Sequence, residues 1–311
     1  AYITALIRSE ENVDAAKIAG KGRVEVFYFQ NSIARIMAHT CRQPGMSSVF
    51  TNLLSFDGDE IYVESIPSMA GKTLAEANLY FPNSTLIGLV QDGTPKLNPP
   101  VDTKISPQDK LILIAQDDGI SIPTKEAGIV NKSLIAPIAS SAAPHQKTSI
   151  LGCNELLQQI VSELDCYLAS DSPVIIAALE EDLAKSELPQ QDQLKNIALD
   201  IRSCDIFQRS ALEELLTHKP DNVLILSDTD NDDQESDSKT LLLLLQLRDI
   251  AHKTGMKFSV TSEMRSVENQ ELAQVTKVTD FVVRSNITAL MMTQISQARE
   301  QFGILDDLLS D

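Results

Sequence analysis

Apolar positions along this chain switch between alternation, the period of a half-buried strand, and recurrence at three and four residues, the period of an amphipathic helix. Ile33, Ile36, Met37 and Thr40 repeat at helical spacing, and Met46, Val49, Phe50, Leu53 and Leu54 do so again after a short break. The break is Arg42-Gln43-Pro44-Gly45. Pro44 has no N–H and pushes Gln43 out of the helical region, while Gly45 accepts turn dihedrals. Two helices meeting at an elbow are therefore predicted, with Gln43, Pro44 and Gly45 as the hinge or dimer contact. Val49, Phe50, Leu53 and Leu54 would offer an apolar face to a neighbour, or else pack on the chain's own sheet.

Before the elbow the pattern predicts a strand at Ala1–Ile7, a helix over Asn12–Ala19 closed by Gly20, a strand at Val24–Phe29 and a helix capped by Ser32. That is half of a parallel α/β layer. Because the first strand stands at the first residue, the chain is expected to open in the middle of a fold. After the elbow the turn Asp57-Gly58-Asp59-Glu60 leads into alternating Ile61–Val63. A short helix over Leu74–Leu79, strands at Thr85–Gln91 and Lys110–Gln116, and turns at Asp92-Gly93 and Pro99-Pro100 complete a small α+β unit. Pro123, Pro137, Pro144 and the Ser140–Ala143 tract then mark a linker.

From Ser149 a second α/β series begins with its first strand. Strands are predicted at Ser149–Gly152, Pro173–Leu179, Asn196–Asp200, Asn222–Ser227, Lys257–Thr261 and Asp280–Val283. Helices are predicted over Asn154–Leu164, Phe207–Leu216, Thr240–His252 (ended by Gly255) and Asn286–Phe302. Val- and Ile-rich strands between amphipathic helices specify a Rossmann-like, doubly wound parallel sheet. The expected segments are 1–56, the later half of a Rossmann-like lobe with crossover helices; 57–122, the small lobe; 123–147, a linker; and 148–311, a second Rossmann-like lobe. No further small lobe follows it, so the chain is expected to stop short at this end too.

Composition narrows the function. A net charge of -18 disfavours a phosphate-tracking nucleic-acid surface and an anionic membrane face, and suits cations, basic partners or simple solubility. The leucine run Leu241–Leu245, like every other apolar run in the chain, is far short of the roughly 20 residues a membrane helix needs, so the chain itself is expected to be soluble. No basic-then-apolar leader precedes Arg8. Cys41, Cys153, Cys166 and Cys204 show no C-x-x-C spacing and read as buried small residues of a reducing cytosol. Lys72 and Thr73 follow Gly71, but the spacing of a phosphate loop is absent.

Three places carry candidate chemistry. A dinucleotide turn needs G-x-G-x-x-G so that backbone amides can approach a pyrophosphate. Here Gly152 is followed by Asn154 and Leu157 in the other two glycine positions. Gly152, Asn154 and the acids Glu180 and Glu181 are thus the cofactor-binding candidates, with nucleotide binding disfavoured; the acids also simply suit the first turn of a helix. The run Asp228, Asp230, Asp232, Asp233, Glu235 and Asp237 lies after an apolar strand. In an extended backbone it would present two sets of carboxylates to a weakly held calcium ion, or it is a solvated loop. It lacks the glycine and twelfth-position Glu of an EF-hand. Catalysis finds little support. His39 and His252 lie near helix ends, His145 lies in the linker, His218 ends a helix, and no nucleophile motif is present.

The run CRQPGMSSVFTNLLSF with GDEIYVESIPSMAGKTLAEA, and more weakly TLLLLLQLRDIA and NITALMMTQIS…FGILDDLL, resembles the CASTOR/POLLUX-like ion channels, whose cytoplasmic RCK regions regulate conductance. The resemblance implies a cytoplasmic, non-enzymatic gating-ring region of a cation (potassium or calcium) channel. It implies assembly as a homo-oligomeric ring, a tetramer in the intact channel, coupled to a transmembrane pore of the same protein. No nucleic-acid partner and no certain cofactor follow from it. An NAD-dependent oxidoreductase, or a pore-less regulatory subunit of a potassium transporter, would share the fold and stand as alternatives.

Overall fold

The computed structural model describes the chain except residues 1–2, 8, 57, 117–121, 136–141, 229–230, 274–279, 298–299 and 310–311. The described residues form β1 (Ile3–Leu6), α1 (Val13–Gly20), β2 (Val24–Phe27), α2 (Gln30–Arg42), α3 (Met46–Leu54), β3 (Glu60–Glu64) and α4 (Leu74–Asn78). Next come β4 (Thr85–Gln91), β5 (Thr94–Leu97) and β6 (Lys110–Ala115). The second series is β7 (Thr148–Leu151), α5 (Leu157–Tyr167), β8 (Ser172–Ala178), α6 (Glu180–Lys185), β9 (Ile197–Ser203), α7 (Arg209–Leu215), β10 (Asn222–Ile225) and α8 (Asp233–Thr254). It ends with β11 (Ser259–Met264), α9 (Val267–Ala273), β12 (Asp280–Val283), α10 (Arg284–Gln297) and α11 (Glu300–Leu309).

Backbone contacts gather these elements into two units. One holds Ala1–Phe27, Phe50–Ser140 and Leu290–Asp311. Its main sheet is antiparallel, ordered β3-β6-β4-β5, over a core of Met69, Leu74, Phe81, Leu89, Leu111 and Leu113. Thr73 caps α4 through a reciprocal pair with Glu76, two orphan donors satisfied at once. The strand β5 carries Pro95 and lies at the sheet edge, where a missing N–H is tolerated. Helix α11 joins this unit: Asp307 accepts from the Leu97 amide at 2.9 Å, and Gln301 donates to the Ile61 carbonyl at 2.7 Å.

The other unit holds Tyr28–Val49 and Ser141–Ala289. Its sheet is wholly parallel, ordered β12-β11-β10-β7-β8-β9. Strands β7, β10 and β12 are buried at every residue, the pattern of a sheet covered on both faces. Helix α2 lies here, packed beside α5 and on β10, β11 and β12, through Ile33, Ala34, Ile36, Met37, Ala38 and Cys41. Arg35 pairs with Glu163 of α5 at 3.0 Å, and Arg42 stacks over Tyr167. The contacts thus group α2 with the segment after 141, not with the β1–α1–β2 stretch it follows in sequence. An amphipathic stripe announces a buried face without saying which sheet it meets.

Several boundaries differ from the periodicity. The left-handed residue ending α1 is Lys21, one past Gly20. Ser32 is buried inside α2, whose N-cap is Phe29. Helix α8 starts at Asp233, seven residues before the apolar run at Thr240, and helix is described on both sides of residues 298–299, as α10 and α11.

Candidate functional site

The chain winds from β7 outward to β9, then returns to β10 and winds the other way. Such a reversal opens a crevice beyond the carboxyl ends of the two central strands. Gly152 stands at its floor with φ of 87°, and an added Cβ would meet the Leu226 carbonyl oxygen at 2.8 Å. Both the left-handed backbone and the close approach demand glycine there.

The next turn position is closed by a side chain. Asn154 is 4% exposed; its Nδ2 donates to the Ser227 carbonyl at 3.0 Å and to Glu263 Oε2 at 2.8 Å, and its Oδ1 accepts from the Leu156 amide. The Leu157 amide turns back onto the Asn154 carbonyl, and the Leu157 side chain is in the core. The Leu156 and Leu157 amides at the start of α5 are thus already used. Asn154 is therefore placed as a brace of the turn.

Behind it sits a buried charge network that no sequence motif announces. Glu263, 1% exposed, accepts from the Ser227 amide at 2.9 Å and from Arg284 Nε at 3.1 Å, while Arg284 reaches Glu155 at 2.5 Å. Burial alone would lower the Arg284 pKa, but the two carboxylates outweigh it and raise it, so the guanidinium stays charged. These residues lie far apart in sequence, and only the sheet order brings them together.

The crevice continues into a cavity of about 310 Å³ lined by Cys153, Leu179, Glu181, Asp182, Phe207 and Asp228, among others. Both acids are exposed, but Glu181 is among its lining residues and Glu180 is not. Burial pushes the Cys153 thiol up, with Asp182 and Asp228 adding to the shift against a hydrogen bond from Ser186. Cys153 is thus a protonated thiol at neutral pH and a poor nucleophile. His218 lies at the opposite edge: its Nε2 is 3.3 Å from Ser149 at the start of β7, and burial lowers its pKa. It contributes no acid–base group to the crevice.

The acidic run does not form the two extended carboxylate sets read from its alternation. Asp232 is the N-cap of α8 and accepts from the Glu235 amide; Asp233 and Glu235 are in the first turn, where the helix dipole favours acids. Asp228 pairs with Lys239 at 3.0 Å, Glu235 with Lys239 at 3.4 Å, and Asp233 with Arg265 at 3.2 Å. Asp237 is fully buried and accepts from the Arg265 and Ser266 amides and from Asn269. Asp230 lies outside the described residues. Among the described residues no group of three metal-ligating side chains comes together, and calcium would have to displace these internal partners.

At the elbow Gln43 is extended and Gly45 has φ of 95°. Asp280, 2% exposed, accepts from Gly45 N at 2.8 Å, Ser47 N at 3.3 Å and Ser47 Oγ at 2.5 Å. The expected hinge is clamped to the first residue of β12. Phe50 and Leu54 are buried within this chain and cannot serve as a free face, Leu53 is partly buried, and Val49 is 53% exposed.

The family described as Castor and Pollux, part of voltage-gated ion channel, matches residues 30–131. The ion channel CASTOR of Lotus japonicus is 23% identical over 341 residues, covering 97% of this chain and 40% of that protein. The probable ion channel POLLUX of Arabidopsis thaliana is 22% identical over 349 residues, covering 97% and 41%. The chain thus spans about 40% of the length of these curated relatives. In fold it is similar to the human SLO3 gating ring, at a TM-score of 0.69 and 13% identity, over 99% of this chain and 67% of that one.

Proposed function

Proceeding from a chain that is CASTOR/POLLUX-like in sequence and has the fold of a gating ring, we propose that it is the regulatory region of a cation channel. In this reading it senses a ligand and biases a pore supplied by the rest of a longer protein. The observation that carries the proposal is alignment with ion channels along 97% of the chain, not along one motif. Among the described residues no helix is long and apolar enough to cross a membrane, consistent with a region that acts on a pore from outside the bilayer. Regulation asks only that the ligand bind one arrangement of the assembled region better than another. The oxidoreductase alternative has against it the Asn154-braced turn and a protonated Cys153 as the nearest thiol.

The assembly proposed is a homo-oligomeric ring, four subunits in the intact channel. Sedimentation equilibrium on this chain checks the first requirement. Concentration-dependent association is expected, weakened by Val49→Asp at the exposed position of α3. A monomer at every concentration contradicts the ring.

A further inference from the structure

We infer that the open half of β9 pairs antiparallel with β9 of a second copy of this chain, about a two-fold axis through Ile201. Strand β9 is an outer strand of the six-stranded sheet, and such an edge presents backbone donors and acceptors to any chain that can match them. Ser172 N donates to the Asn196 carbonyl at 3.0 Å, and Cys204 N donates to the Ala178 carbonyl at 2.9 Å. That parity turns the amides and carbonyls of Ile197, Leu199, Ile201 and Ser203 away from β8. The first half of this outward row is closed. Asp165 accepts from the Ile197 amide at 2.9 Å, and the Gln191 carboxamide bonds the Ile197 carbonyl and the Leu199 amide, each at 2.8 Å, as a neighbouring strand would. Among the described residues nothing bonds the Leu199 carbonyl, the Ile201 amide and carbonyl or the Ser203 amide. In the four-stranded sheet, by contrast, Asp307 bonds an amide of β5 and Gln301 a carbonyl of β3, its two outer strands.

These four open groups are self-complementary. A two-fold at Ile201 sets Ile201 opposite its own copy, Leu199 opposite Ser203, and Asp200 opposite Arg202. The two Ile201 residues then exchange both of their bonds, and each Ser203 amide donates to a Leu199 carbonyl, so every open group finds a partner. The side chains select the same register. Asp200 and Arg202 flank Ile201, share one face of the strand, and pair with each other at 2.8 Å while remaining 50% and 40% exposed. The two-fold sets each carboxylate opposite the guanidinium of the second copy. Sliding one copy by two residues would instead oppose Asp200 to Asp200 or Arg202 to Arg202, and like charges directly opposite are destabilising. On the other face Ile201, 38% exposed, packs against its own copy. A closed ring is built from head-to-tail contacts, so this isologous contact is separate from it and stands whether or not the regulatory reading holds.

Disulfide trapping tests the pairing, in a Cys166→Ser/Cys204→Ser background that removes the exposed thiol and the one next to β9. A bonded antiparallel pair holds its Cα atoms about 5.5 Å apart, inside the span of about 4.4–6.8 Å that a disulfide bridges. Ile201→Cys is therefore expected to give a covalent dimer under mild oxidation. Ala198→Cys, also exposed on β9, is expected to be trapped at least about fivefold more slowly, because its two copies would lie about 20 Å apart along the strands. Adding Asp200→Lys to Ile201→Cys opposes two cations and is expected to slow trapping about tenfold, and the swap Asp200→Lys/Arg202→Glu restores it. Thermal melts confirm the fold of each variant. Trapping of Ile201→Cys no faster than that of Ala198→Cys, or a rate that Asp200→Lys leaves unmoved or the swap fails to restore, would overturn the inference.

Discussion

At the scale of single residues, the chemistry of this chain is decided by what each polar group already holds. Gly152 was legible in the sequence, because an apolar strand running into glycine needs little else to identify the turn. The task of Asn154 was not, since its partners Ser227 and Glu263 lie 73 and 109 residues away. The alternating acids misled for a related reason: alternation implies one side only in an extended backbone, and here Asp233, Glu235 and Asp237 are helical. Of the four cysteines read as buried small residues, Cys41 is buried, Cys153 and Cys204 are half-buried and Cys166 is exposed, and the burial of Cys41 has a consequence for stability. Desolvation, opposed by the charge of Arg42, raises its thiol from an ordinary 9.0 to about 12. The folded state thus favours the protonated thiol. Its contribution is complete below the unfolded pKa and is lost as pH rises from about 9 toward 12, by up to about 1.4 kcal/mol per pH unit. Urea unfolding of the parent and of Cys41→Ala between pH ~8 and ~10.5 checks this. The parent's margin over the variant should shrink above pH ~9, and a constant margin would place the thiolate comfortably in the fold.

At the scale of elements, periodicity located strands well where both faces are buried or where turns bracket them, as at Thr85–Gln91 and Asp280–Val283. It located α8 poorly, because the first turns of that helix are Asp, Gln, Ser and Lys with no apolar repeat; what starts the helix is the Asp232 cap. It predicted the α2–α3 elbow but not the hydrogen bonds that Asp280 makes there. Asp280 supplies acceptors to two amides and a hydroxyl at the start of α3, and its own position at the start of β12 is set by the sheet. Removing this carboxylate leaves the buried Ser47 amide and hydroxyl, and the Gly45 amide, without this acceptor. Asp280→Ala should therefore lower unfolding stability by about 2–4 kcal/mol, with Asp280→Asn milder because an acceptor remains. Chemical denaturation of the three proteins decides the point. A loss under about 0.5 kcal/mol in Asp280→Ala would mean that the elbow is held by packing alone.

For the whole molecule, the central claim is that this region governs how often a pore opens and not what passes through it. Among the described residues no helix is long and apolar enough to cross a membrane, and the chain's similarity to ion channels runs along 97% of its length. Gating and permeation leave different signatures. A change confined to the regulatory region shifts an equilibrium between closed and open states, whereas the current through one open pore depends on the pore itself. The direct measurement is single-channel recording of the full-length protein in lipid bilayers, for the parent and for Asp280→Asn, which loosens the clamp at the elbow. The account predicts cation currents with equal unitary conductance and an altered open probability. Absence of current from folded full-length protein, or a changed unitary conductance at an unchanged open probability, would contradict it.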